Sequence, residues 1–138
     1  MSDEEQGPRI ALRQMFVERN GEMECWNIAW RIENRAREPV KIVSARLPHG
    51  QFKSEEIRFE PPLDLPPDAN EQFQTSVRCH EPSGLVTDNA FVIFHAIWRS
   101  EPWRIFARVR VAVDADGKPA ATTQSVTTQK VGFSGINA

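Results

Sequence analysis

The chain has 138 residues, 40% of them hydrophobic and 26% charged, with a formal net charge of -2. That length suits one domain with a continuous core that needs no disulfide or metal staple. The near-neutral, slightly acidic balance gives no whole-molecule field favouring nucleic acid or acidic lipid. The charge is uneven, however: residues 51–88 are mostly acidic, whereas residues 98–113 hold Arg99, Arg104, Arg108 and Arg110 against the single acid Glu101.

Residues 1–7 are polar and acidic, and are expected to form a disordered tail ahead of a single domain at 8–134, with a short tail at 135–138. The start lacks the basic n-region and apolar stretch of an export signal, and no apolar run reaches the length of a membrane span, so a cytoplasmic location off the membrane is expected. A first strand is read over Arg9–Glu18, with Ile10, Leu12 and Phe16 on one face, and a second over Met23–Asn34, with Trp26, Ile28, Trp30 and Ile32 on one face. Arg19-Asn20-Gly21 between them is a hairpin signal. A three-residue loop with Gly21 at positive φ sets Ile10 against Trp30 and Leu12 against Ile28. The two apolar stripes then share a face, leaving Gln14 opposite Trp26 as the flaw. A third strand is expected at 40–47 and a short one at 57–59. The four prolines of 61–68 exclude helix and central strand and suggest a stiff crossing. Phe73, Thr75, Val77 and Cys79 alternate in the next strand, and 81–89 reads as a loop.

Ala90–Trp98 is apolar on both faces apart from His95, as in a central strand covered on both sides. Ser100-Glu101-Pro102 turns the chain into Trp103–Val113, where every odd residue is apolar and Arg104, Arg108 and Arg110 fall on the other face. With a three-residue turn, Trp98 pairs with Arg104 and Ala96 with Phe106, which mixes aromatics with guanidinium groups. A last strand within 121–133 is rich in Thr, Ser and Gln. Nowhere do three turns show helical periodicity. The expected fold is all-β: a two-sheet sandwich of about eight strands. The run Trp26–Ile32, the Asn34–Pro39 turn, the Leu65-Pro66-Pro67 crossing and the paired strands of 90–113 resemble, at the level of fold, an immunoglobulin-like or fibronectin-type β-sandwich. The antibody Cys…Trp…Cys spacing and the tyrosine corner are absent, and the resemblance implies no function.

Chemical motifs are scarce. His49, His80 and His95 are the only histidines, and no CxxC, HxH, HExxH or phosphate-loop spacing occurs. Asp114-x-Asp116-Gly117 is explained by a hairpin turn without calcium. No catalytic residue, metal ligand or cofactor is assigned. Cys25 and Cys79 are expected to be free thiols. The candidate ligand or partner surface is Arg104, Arg108, Arg110, Trp98, Trp103 and Phe106, since arginine and aromatic groups together bind carboxylates, phosphates or protein partners. The alternative is internal: arginine stems covering apolar surface, with heads paired to acids of the 55–71 region. Nucleic acid is disfavoured by the small basic footprint. The functional expectation is a non-enzymatic protein-interaction or structural module, self-associating through its poorly protected last strand. The second reading is a small-ligand or carbohydrate-binding sandwich using an arginine/tryptophan face.

Overall fold

Period-two patterning carries through into eight strands. The computed structural model describes residues 6–21, 25–50, 52–79 and 82–131. In chain order the strands are β1 (Ile10–Arg19), β2 (Cys25–Asn34), β3 (Val40–His49), β4 (Phe52–Leu65), β5 (Asn70–Cys79), β6 (Val86–Trp98), β7 (Glu101–Val113) and β8 (Pro119–Lys130). Among the described residues there is no helix, hence none long and apolar enough to cross a membrane. The strands form one antiparallel sheet in the order β1-β2-β5-β4-β3-β6-β7-β8, nearly closed into a barrel. The meander β3-β4-β5 is flanked by β6 beside β3 and β2 beside β5, so two Greek keys share three strands.

The two ends of this order meet through side chains. Gln14 on β1 donates from Nε2 to the Pro119 carbonyl at 3.3 Å and accepts at Oε1 from the Ala121 N–H at 2.9 Å. The Thr123 hydroxyl donates to the Leu12 carbonyl at 2.9 Å. Gln14 lies opposite Trp30, not Trp26, and its amide satisfies β8 backbone groups. The opposite seam is thin: among the described residues β4 and β5 pair at Phe52–Cys79 and Lys53–Arg78 alone.

Trp26, Ile28, Trp30 and Ile32 form one core wall. The Trp30 ring stacks on Phe73 at 6.5 Å and meets Phe52 edge-on at 6.4 Å, while its indole N–H donates to Thr75 Oγ1 at 2.9 Å. Asn34, wholly buried, ties the ends of β2 and β4 together: its Nδ2 donates to the Leu65 and Glu38 carbonyls, and its Oδ1 accepts from the Ala36 N–H.

Several expectations need correcting. Ile10 pairs with Asn34 and Leu12 with Ile32, a four-residue displacement from the expected register. Gly21 does have positive φ, at 99°. The displacement comes from the turn, which reaches from Asn20 to Cys25 and shifts the pairing by five residues, while a bulge at Met15 takes one residue back. A shift of four preserves parity, so Ile10 and Leu12 still face the core. Beyond the bulge Val17 packs inward and Phe16, expected inside, is half exposed. Two of the four prolines, Pro61 and Pro62, lie within β4, and Pro66 and Pro67 follow it. Leu63 pairs with Ile42 and Arg58 with Ser44, while residues 59–62 bow out of the ladder with no β5 partner among the described residues, so missing N–H groups cost little there. Most of the expected 1–7 tail lies outside the described residues. At its inner end Gly7 is buried, and a Cβ there would sit 2.8 Å from the Trp103 ring.

The β6–β7 turn has two residues, not three. Trp98 pairs with Glu101, Ala96 with Trp103 and Phe94 with Ile105. Arg99 and Ser100 have φ of 53° and 64°, the pair of positive values that a type I′ turn requires. Arg99 is fixed by its guanidinium over the Trp98 ring, 4.3 Å from the centroid, and by Glu38 at 3.0 Å.

Two substitutions test these elements. Gln14→Ala is expected to cost about 1–2 kcal/mol in urea unfolding, because it strips partners from two part-buried β8 groups. A loss below about 0.3 kcal/mol would show that Gln14 does not hold the closure. Ser100→Gly is expected to stabilise by about 0.5–1 kcal/mol, since relief of left-handed strain outweighs the added freedom of the unfolded chain. Destabilisation would refute the strained-turn assignment.

Candidate functional site

The turn decides which side chains share a face. An odd-sum register puts Trp98, Trp103, Ala96, Phe94 and Ile105 inside, and turns Phe91, Ile93, His95 and Ile97 of β6 outward beside Arg104, Phe106 and Arg108 of β7. Trp98 and Trp103 therefore leave the candidate surface. Both are buried and pack edge to face at 5.6 Å. The outer side of β6 is covered unevenly: Ile93 is buried, Phe91 and His95 are half-buried and Ile97 is 39% exposed.

Across this outer face the register sets up rows. One reads Gln129, Arg104, His95, Ser44 and Arg58 over β8, β7, β6, β3 and β4. The next reads Thr127, Phe106, Ile93 and Arg46. Strands lie about 4.8 Å apart, so Arg104 and Arg58 leave the backbone about 14 Å from one another, with His95 between them. Arginine side chains are long enough to close over that interval.

The arginines of β7 divide into two kinds. Arg108 donates to Ser125 Oγ at 3.3 Å and Asn89 Oδ1 at 3.2 Å, and Arg110 lies 3.7 Å from the Asp88 carboxylate. These two are held internally, though by 88–89 and β8 rather than by acids of 55–71. Arg104 makes no ion pair among the described residues, and neither do Arg46 and Arg58. All three contribute to the field at His95, where Glu56 is the one acid among the charges acting on the imidazole. The His95 pKa is held below its ordinary 6.5, first by burial and then by Arg104, with Arg46 and Arg58 adding to the effect and Glu56 opposing it.

Sequence reasoning found Arg104 and Phe106 but missed His95, Arg46, Arg58, Phe91 and Ile93. The signal for His95 was its place as the lone polar residue in an apolar strand. The β3 and β4 arginines had no such mark, since β3 alternates weakly and a bulge at Val43 shifts its register.

Other surfaces fit the expectations less well. Clefts of about 480 Å³ (Asn20, Cys25, Lys53–Glu55, Ser76–Arg78) and about 520 Å³ (Pro8–Ile10, Arg35, Val126–Thr128) involve none of the proposed arginines or tryptophans. No group of three or more His, Cys, Asp or Glu side chains gathers among the described residues as a metal would need, and His80 lies outside them. Cys25 and Cys79 are both buried. Cys79 points into the core, and Cys25, one residue before inward-facing Trp26, points the other way.

No family model matches the chain, and no curated protein matches its sequence. Among solved structures, the X-ray structure of Northeast Structural Genomics Consortium target SoR45 is similar at 12% identity and a TM-score of 0.34, covering 90% of this chain and 86% of that one. A likeness at that score does not bear on function.

The field at His95 is testable. Because the folded-state pKa lies below 6.5, the unfolded chain binds the proton first. Stability therefore falls as pH drops through 6.5 toward the folded midpoint and is regained above it. An NMR titration of His95 should give a midpoint below 6.5, raised toward 6.5 by Arg104→Ala and lowered further by Glu56→Gln. Opposite signs would remove the electrostatic assignment.

Proposed function

We propose that this chain is a non-enzymatic interaction module that docks an acidic, extended segment of a partner protein on the outer face of β4, β3, β6 and β7. The observation that carries this reading is the set of three guanidiniums, Arg46, Arg58 and Arg104, with no ion pair among the described residues, next to the part-exposed apolar groups Phe91, Ile97 and Phe106. Apolar contact supplies burial energy, and unneutralised arginines supply orientation and on-rate.

In this reading the sheet is a barrel flattened into an immunoglobulin-like sandwich, with β1-β2-β5 facing β4-β3-β6-β7-β8. The two-pair seam between β4 and β5 supports that division. Two buried thiols on opposite faces suit a reducing, cytoplasmic setting. A small-ligand or carbohydrate face draws less support, because Trp98 and Trp103 belong to the core. Self-association through β8 also draws less, because Leu12 and Gln14 already engage residues 119–123 of that strand.

The reading is checked with fluorescent peptides that alternate Glu with Leu or Phe, titrated at about 50 mM salt while amide shifts are mapped. Binding should perturb residues 44–46, 56–58, 91–97 and 104–106, and weaken about tenfold with Arg46→Glu plus Arg104→Glu, the loss of two charge-assisted contacts. Shifts mapping elsewhere, or no binding to any acidic peptide, would overturn it.

A further inference from the structure

We propose that Arg104, His95 and Arg58, in one row across the sheet with Arg46 beside it, form a site for a phosphoryl group carried on an extended segment of a partner protein. The inference rests on the reading of this face as a docking surface and names the group recognised there.

The charge count argues for a dianion. Arg46, Arg58 and Arg104 bring three positive charges and Glu56 one negative, leaving two in excess on a protein whose total is -2. A single carboxylate has two oxygens and is satisfied by one bidentate guanidinium. Three guanidinium forks, approaching from β7, β3 and β4, match a tetrahedral group with three free oxygens and a charge near two. His95 lies between two of them and offers a ring N–H in either protonation state. The neighbouring row runs from Arg46 over the buried Ile93 to the half-buried Phe106, whose ring offers an apolar shelf for the residue flanking the phosphorylated one.

The groups facing the imidazole are Arg104 from β7, Arg46 from β3 and Arg58 and Glu56 from β4. A bound dianion offsets the cationic side of that field. His95 should therefore titrate at a higher pH in the complex than in the free protein.

The test compares one extended peptide carrying phosphoserine, glutamate or serine at its centre, flanked by Leu and Phe, by anisotropy at about 150 mM salt. In parallel, the His95 midpoint is followed in phosphate and in chloride at equal ionic strength. The phosphoserine peptide should bind about tenfold tighter than the glutamate peptide, charge-assisted hydrogen bonds being the stronger class. Arg46→Ala, Arg58→Ala and Arg104→Ala should each weaken it several-fold, with unchanged amide spectra elsewhere reporting an intact fold. Glu56→Gln should tighten it, and phosphate should raise the His95 midpoint in the parent but not in the triple arginine variant. Equal binding of the phosphoserine and glutamate peptides would overturn the phosphoryl site and leave the acidic-segment reading standing. Failure of both would overturn the two together. Tighter binding of a single-stranded oligonucleotide at the same residues would assign the face to nucleic acid instead, and an unmoved His95 midpoint in phosphate would show that no oxyanion sits there.

Discussion

A two-residue turn between β6 and β7 sets the chemistry of the outer face. In a strand pair the side chains alternate strictly, so one residue more or less in the turn exchanges the two faces of one partner relative to the other. With Arg99 and Ser100 alone in the turn, Trp98 and Trp103 meet inside and Arg104 stands beside His95 outside. The turn holds non-glycine residues in the left-handed region, which costs about 1–2 kcal/mol each. What offsets that cost is visible: the Trp98–Trp103 contact below, Arg99 lying on the Trp98 ring, and Glu38 reaching Arg99 from the β2–β3 connector. Core packing thus selects a turn that its own sequence does not favour.

The same connector is held from its other side by Asn34. Each Greek key requires a crossing between strands that are not neighbours in the sequence, and a crossing buries backbone groups that need partners. Asn34 answers three of them at once, at 2.7 to 2.9 Å. Its own backbone carbonyl accepts from the Asp68 N–H, and its N–H donates to the Ala69 carbonyl. The ends of β2 and β4 are therefore bound together where β3 leaves. That fixes the height of β3 against β6, and so the placement of Arg46 and Ser44 beside Ile93 and His95.

Much of the strand pattern was legible because burial writes a period of two into the sequence. The Trp26–Ile32 wall, the alternation of 103–113 and the positive φ of Gly21 follow from residue type alone. The candidate face was half legible. Arg104 and Phe106 could be placed outside, but their neighbours depend on register, and register turns on bulges that leave no mark in composition. The bulge at Met15 sends Phe16 outward; the one at Val43 brings Ser44 opposite His95. The turn at 99–100 misled for a physical reason: Ser-Glu-Pro looks like a loop and Arg-Ser does not look like a type I′ pair. Local propensity lost to the tryptophan contact. Gln14 misled in the opposite sense. A polar residue on an apolar stripe counted as a defect, whereas in the closed sheet it is the group that joins the first strand to the last.

The outer face also has an energetic logic. Three cations around a part-buried imidazole repel one another and hold His95 away from its charged form, so the face costs the free domain stability as pH falls below 6.5. The surrounding rows do the opposite, pairing Lys41 with Asp64, Arg110 with Asp88 and Lys130 with Glu101. Opposite charges are matched along the margins of the face and left unmatched at its centre. An anion bound there relieves the repulsion, and whatever binds the folded state alone stabilises it by mass action. The repulsion among these cations is therefore relieved on binding, and most fully by a ligand whose negative charge exceeds what Glu56 supplies.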